Sequence, residues 1–255
     1  TNAEQSKPVM FRYDSANRGV SPEPLTVPLA LNWKYTAGTS GQSSSSTTSH
    51  LLASPVADAE SVYFFVGRQM YAVSQKTGST LWEKPLELPD LVDSTPVIYN
   101  GTAVFGCRDG KVYFVDVRGK SGRISAMFDL KQQHKGAPQV VGQTVSTKIQ
   151  ATPTYANGRV YIGADDGWVY ALKFPTGQLA WEFKTKGAVK SSPAVSNSGV
   201  YVSSMDGYLY GLAETTGRLY WRTKLDSPNA LGAPVATGSK VVVVAGRFVY
   251  ACDAG

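Results

Sequence analysis

Apolar residues recur along this chain in short runs that alternate with polar ones, and the runs come in ordered sets. Arg159-Val160-Tyr161-Ile162-Gly163 and Trp168-Val169-Tyr170-Ala171-Leu172 are one pair, with Asp166-Gly167 between them. Short apolar runs of about five residues, rich in Val, Ile and Tyr and bounded by Gly and Asp, predict β-strands joined by tight turns. No long segment keeps a helical period, so the chain is expected to be all-β.

The sets repeat. Five small-residue-Pro steps mark them: Ser54-Pro55, Thr95-Pro96, Thr152-Pro153, Ser192-Pro193 and Ala233-Pro234, with prolines 41, 57, 40 and 41 residues apart. A strand core begins seven residues after each Pro, at Val62, Ala103, Val160, Val200 and Val241. A Tyr follows 16 or 17 residues after each Pro, as Tyr71, Tyr113, Tyr170, Tyr210 and Tyr250. Trp82, Trp181 and Trp221 come 11 residues after three of these, beyond the turns Thr77-Gly78, Thr176-Gly177 and Thr216-Gly217.

Each unit therefore reads as four short strands, A to D. Strand A starts at the Pro, strands B and C hold the two apolar runs, and strand D carries the Trp. Asp109-Gly110, Asp166-Gly167 and Asp206-Gly207 join B to C and read as two-residue hairpin turns with φ > 0 at both positions. Repeats of about 40 residues with four strands predict β-propeller blades, whose neighbours must stack to bury both faces of each small sheet. The Tyr and Trp positions are expected to fill the space between blades.

The repeats fall near 51–87, 92–130, 149–185, 189–225 and 230–255, within a propeller spanning 29–255. The last one reaches Val249-Tyr250-Ala251 without a strand D. Leu31-Asn32-Trp33-Lys34-Tyr35 matches Leu179-Ala180-Trp181-Glu182-Phe183 and has the look of the missing strand. Its pairing with the last blade would remove an open edge. The simplest architecture is thus five blades, the last closed by the N-terminal strand; the alternative is part of a seven- or eight-bladed ring. Residues 1–28 lack repeat character, and Pro8, Pro22, Pro24 and Pro28 predict an extended leader that docks in cis or reaches a neighbouring molecule.

With the repeats laid out, Tyr170-Ala171-Leu172 to Trp181 and Tyr210-Gly211-Leu212 to Trp221 resemble the PQQ-like (quinoprotein-like, BamB-like) repeat family. Met10 to Ser21 resembles the lead-in of bacterial members. The resemblance implies a propeller fold and a setting outside the cytoplasm. A start at Thr1 fits a removed signal peptide, and equally a chain trimmed at its N-terminus. Enzymes of this family hold a quinone and Ca²⁺ on a larger ring, with acidic and amide ligands and often adjacent cysteines. Here Cys107 and Cys252 stand far apart in sequence, and no Ca²⁺-loop spacing occurs. The expectation is a non-catalytic chain with no cofactor.

Composition narrows the partner class. Net charge is +6, but Lys and Arg are scattered without a block of five, which disfavours nucleic acid. His50 and His134 are the only histidines, and they lie in separate loops, so no His-based metal site is expected. Asp109, Asp166 and Asp206 recur, and turn chemistry accounts for them. Asn100-Gly101-Thr102 fits a glycosylation pattern but reads as an A–B turn, like Asn157-Gly158.

Two D–A connections are long: 22 residues from Trp33 to Pro55, and 25 from Phe128, placed in the strand-D aromatic position, to Pro153. The others are 12 to 14. D–A and B–C loops share one face of a propeller. The insertion Gly38–Ser49 is rich in Ser and Thr; the second carries Lys131, His134, Lys135 and Lys148. Arg68 and Arg247 occupy the two B–C turns that lack Asp-Gly. These six residues are the candidate contact set for an acidic or polar protein partner. The chain is expected to be an interaction scaffold of a bacterial extracytoplasmic assembly. The alternatives are a ligand- or carbohydrate-binding propeller, which variation among the B–C turns disfavours, and a quinoprotein dehydrogenase fragment.

Overall fold

The computed structural model describes residues 30–37, 53–134, 146–196, 199–226 and 232–254. The leader 1–28, the 38–49 insertion, His50 and Lys135 lie outside them.

Five separate antiparallel sheets form, each in simple sequential order. The first blade holds β1 (Val56–Ala57), β2 (Ser61–Val66), β3 (Gln69–Ser74) and β4 (Leu86–Glu87). The second holds β5 (Val97–Tyr99), β6 (Thr102–Gly106), β7 (Lys111–Asp116) and β8 (Arg123–Asp129), followed by the one-turn helix α1 (Leu130–Gln133). The third holds β9 (Thr154–Ala156), β10 (Arg159–Gly163), β11 (Trp168–Lys173) and β12 (Leu179–Lys184). The fourth holds β13 (Ala194–Ser196), β14 (Gly199–Ser204), β15 (Tyr208–Ala213) and β16 (Leu219–Lys224). The fifth has β17 (Val235–Thr237), β18 (Lys240–Ala245) and β19 (Phe248–Asp253). This is the β-propeller the repeats predict.

The core lies between blades. Phe65 of the first blade meets Phe105 of the second edge-on at 4.8 Å. Phe128 of the second meets Tyr170 of the third at 5.4 Å, and Phe183 of the third meets Tyr210 of the fourth at 5.7 Å. Each of the four apolar clusters joins two neighbouring sheets. A single blade is too thin to bury its own side chains, so stacking supplies the burial.

The strand-D tryptophans lock these junctions. Trp181 Nε1 donates to the Glu214 carbonyl of the next blade at 2.8 Å, and Trp221 Nε1 donates to Ala254 at 3.4 Å. Trp33 makes the same bond to Gln75 of the first blade at 2.8 Å, and Tyr35 packs on Phe64 and Tyr71. Trp33 thus stands where the tryptophan of a preceding blade would stand. The ladder expected between residues 31–35 and the last blade is not formed: residues 30–37 contain no strand, and β17–β18–β19 is three-stranded. The indole bond and the ring contacts hold this segment to the first blade. The face of the fifth sheet that other blades cover with a neighbour leaves Val244 and Val249 exposed.

Three local expectations are corrected. Trp82 precedes β4 rather than lying in it, because Pro85 interrupts the ladder; its ring is still buried against Tyr63. Phe128 does not take the tryptophan place. Trp181 pairs with Ala171 and Trp221 with Gly211, whereas the equivalent pair in the second blade is Phe114 with Ala126. Bulk has moved across the ladder, from strand D to strand C, and Phe128 matches Phe183 instead. The Asp-Gly turns have φ > 0 at Gly alone. Gly110, Gly167 and Gly207 each donate to the carbonyl three residues back, which makes a type I turn closed by a left-handed glycine. Both positions are left-handed at Asn100-Gly101 and Asn157-Gly158, the A–B turns.

Candidate functional site: the B–C and D–A face

The B–C turns and D–A connections lie together. Leu88 N–H donates to the Arg68 carbonyl, and Asp165 N–H donates to the Lys148 carbonyl at 2.9 Å each. The face is built around the strand-C tyrosines. Each Asp of the Asp-Gly turns accepts a backbone N–H two residues on through Oδ1. Its Oδ2 accepts the tyrosine hydroxyl: Tyr113 to Asp109 at 2.7 Å, Tyr170 to Asp166 at 2.7 Å and Tyr210 to Asp206 at 2.6 Å. Tyr71 turns to Gln69 and Tyr250 to Asp226. The recurrent Asp therefore fixes the turn and also receives the buried phenol, a partnership that turn chemistry alone does not reveal.

Burial pushes the Tyr170 hydroxyl far up, helped by the neighbouring Asp166 carboxylate. Burial also raises Asp166, against the pull of the Trp168 N–H and Tyr170 hydroxyl.

Of the expected contact residues, Arg68, Lys131, Lys148 and Arg247 are exposed. Arg68 reaches the Pro89 carbonyl at 3.4 Å, and Arg247 lies 5.6 Å over the Phe248 ring. Arg68 is on the first blade and Arg247 on the fifth, so three blades separate them. His134 is engaged internally. Its ring stacks on Trp168 at 4.5 Å, and Nε2 lies 3.0 Å from the Tyr170 hydroxyl and 3.6 Å from Glu182.

Other polar residues of the face carry no sequence signature. Arg108 Nε donates to Asp93 Oδ2 at 2.6 Å, and Gln150 donates to the same oxygen at 3.3 Å. Asp165 Oδ2 accepts from Ser146 at 3.2 Å, while Lys190 lies 4.0 Å from its Oδ1. Positions just before the strand-A prolines and within B–C turns bring these groups together. Their pairing neutralises much of the charge, so the face is mixed in sign rather than uniformly basic.

Burial pushes the Cys107 thiol up to about 12, so it is not a thiolate at neutral pH. Cys107 and Cys252 are unpaired and lie on different blades. Among the described residues no group of three or more His, Cys, Asp or Glu side chains is arranged to hold a metal ion.

A family model described as outer membrane protein assembly factor BamB matches residues 30–164 and 131–255. The chain belongs to this BamB-like family. BamB from Moraxella catarrhalis superposes with a TM-score of 0.61 at 21% identity, over 76% of this chain and 58% of that one. Quinohemoprotein alcohol dehydrogenase from Comamonas testosteroni superposes with a TM-score of 0.62 at 14% identity, over 79% of this chain and 42% of that one. The computationally designed Ika8 protein gives 0.61 at 17% identity, over 78% and 57%. These likenesses establish the fold. The chain spans somewhat more than half the length of the BamB structure it matches. No curated protein matches the sequence. Among the described residues no helix is long and apolar enough to cross a membrane.

Proposed function

We propose that this chain is a non-catalytic scaffold of a bacterial extracytoplasmic assembly, docking an acidic protein partner on its B–C and D–A face. Membership of the BamB-like family supports a role in protein assembly. The observation that carries the docking surface is the contact of the described ends of the second-blade insertion with the third blade at its B–C turn, with Lys131 and Lys148 exposed beside it and Arg68 and Arg247 exposed on the B–C turns of the first and fifth blades. Lys135, outside the described residues, belongs to the same insertion. His134 serves as an anchor of this face more than as a free contact, because its ring is already engaged. Charges at the rim of an interface act mainly on association and selectivity.

The test is quantitative capture from native envelope extract, with the wild-type chain and the Arg68→Glu/Arg247→Glu variant as bait. The expected result is a partner whose capture falls about tenfold in the variant and weakens with salt. Equal capture by both baits, insensitive to salt, would remove this face from consideration.

A further inference from the structure

The connection between the second and third blades leaves β8 through α1 and returns through residues 146–150. Both ends of it land on the same turn. On the outgoing side, Asp129 caps α1 by accepting from the N–H groups of Lys131 and Gln132. His134 then lies flat on Trp168, with Nε2 at 3.0 Å from the Tyr170 hydroxyl. The Tyr170 proton is committed to Asp166 at 2.7 Å, so His134 Nε2 is the donor to Tyr170. Gln133 donates to Glu182 at 3.3 Å, and the same carboxylate oxygen lies 3.6 Å from His134. Every one of these partners belongs to the third blade.

On the returning side, Ser146 donates to Asp165 Oδ2, and the Asp165 N–H donates to the Lys148 carbonyl. Ile149 N–H donates to the Cys107 carbonyl at 3.3 Å, and Gln150 reaches Asp93. Adjacent residues of one B–C turn, Asp165 and Asp166, thus receive the two ends separately: Asp166 through Tyr170 and His134, Asp165 through its own carboxylate and amide. The other Asp-Gly turns, at Asp109 and Asp206, have the tyrosine bond, but no histidine continues it among the described residues.

We propose that Asp165 and Asp166 are positioning residues that clamp both ends of this connection, and so present Lys131 and Lys148 to an acidic partner at a fixed separation. The clamp has the form of preorganisation: ordering is supplied by the fold before binding, which removes part of the entropic cost of association. The presentation of the lysines rests on the docking reading above; the clamp itself does not.

Hydrogen exchange of the full chain separates the two. Asp166→Ala is expected to raise exchange of the amides of residues 131–134 about tenfold or more, while β14 and β15 of the fourth blade keep wild-type protection. Asp166→Asn keeps one acceptor oxygen for the two bonds that Asp166 accepts, from the Trp168 N–H and the Tyr170 hydroxyl, so it should restore only part of that protection. His134→Gln should loosen the outgoing end and leave residues 147–150 unchanged. An oligoglutamate peptide serves as the acidic probe, and its affinity should fall several-fold in Asp166→Ala and recover in part in Asp166→Asn. Unchanged exchange at 131–134, or an equal rise in every blade, would overturn the clamp. Raised exchange at 131–134 with undiminished oligoglutamate binding would overturn the presentation of Lys131 and Lys148.

Discussion

The hydroxyl of Thr95 accepts a hydrogen bond from the backbone N–H of Ser54 at 2.9 Å, one blade earlier. Thr152 accepts in the same way from Thr95 N–H at 3.2 Å. Both threonines directly precede a strand-A proline, so the small-residue-Pro step is a blade-to-blade fastening at the inner strands. Proline itself offers no N–H, and the residue before it is held extended, which keeps its hydroxyl and amide available to neighbouring blades.

Removing that fastening should cost a measurable amount without a change of shape. Thr95→Val and Thr152→Val keep the side-chain volume and lose the acceptor. Each is expected to destabilise by about 1 kcal/mol in urea unfolding, and Thr→Ser at either site by less. A valine variant as stable as wild type would mean that the bond contributes nothing net.

The tryptophan junctions depend on absent side chains. Gly217 has φ +71°, and a Cβ there would come within 2.5 Å of the Trp181 ring. Gly158 has φ +74° with open space around it. Gly158→Ala should cost about 1 kcal/mol from backbone strain alone, and Gly217→Ala at least twice that, because the ring must also shift. Equal unfolding midpoints for the two variants would contradict this account of the junction.

Glu214, almost fully buried, accepts from Arg159 at 3.0 Å and from the Tyr161 hydroxyl across the junction of the third and fourth blades. Glu214→Ala is expected to destabilise by about 2–3 kcal/mol, below the value for a fully buried pair because Arg159 is 28% exposed. Arg159→Met combined with Glu214→Leu should cost less than the two single changes added together. A double-mutant cycle by denaturant unfolding measures the coupling, and strict additivity would show that the pair is not coupled.

Asp116 provides a pH signature. Hydrogen bonds from Arg118, with Arg123 adding to the attraction, lower its carboxyl to about 2, against an ordinary value near 3.8. A lowered carboxylate stabilises the fold above its unfolded pKa, and that contribution disappears as pH falls through the folded value. Stability should therefore drop between about pH 4 and pH 2, and Asp116→Asn should flatten that part of the urea-midpoint profile. The same slope in both proteins would assign the acid sensitivity elsewhere.

The two thiols should react at different rates. Cys107 is fully buried and its thiol is raised to about 12, while Cys252 is half-buried on the fifth blade. At pH 8 a thiol reagent is expected to label Cys252 in the native chain and Cys107 only after denaturation, as read by peptide mass. Native labelling of Cys107 would show that the second blade opens.

What short-range chemistry controls is legible along the chain. Proline steps, alternating runs and left-handed Gly and Asn positions act within a few residues, so strand order, blade period and the five repeats could be read along the chain. The strand-D tryptophans were legible because each repeats one contact. Tertiary structure decided what depends on partners distant in sequence. Phe114 and Ala126 exchange bulk across the β7–β8 ladder, and the longer C–D connection of the second blade, 13 residues from Tyr113 to Ala126 against 11 from Tyr170 to Trp181, decides which residue takes the tryptophan place. His134 read as a contact residue of this face until the fold set it on Trp168 and Tyr170, 34 and 36 residues away. The joint hold of Asp165 and Asp166 on both ends of one connection was likewise invisible in sequence. Asp-Gly is satisfied as a turn by local rules alone, and only packing of the neighbouring blade's connection against that turn gives its carboxylates a second role.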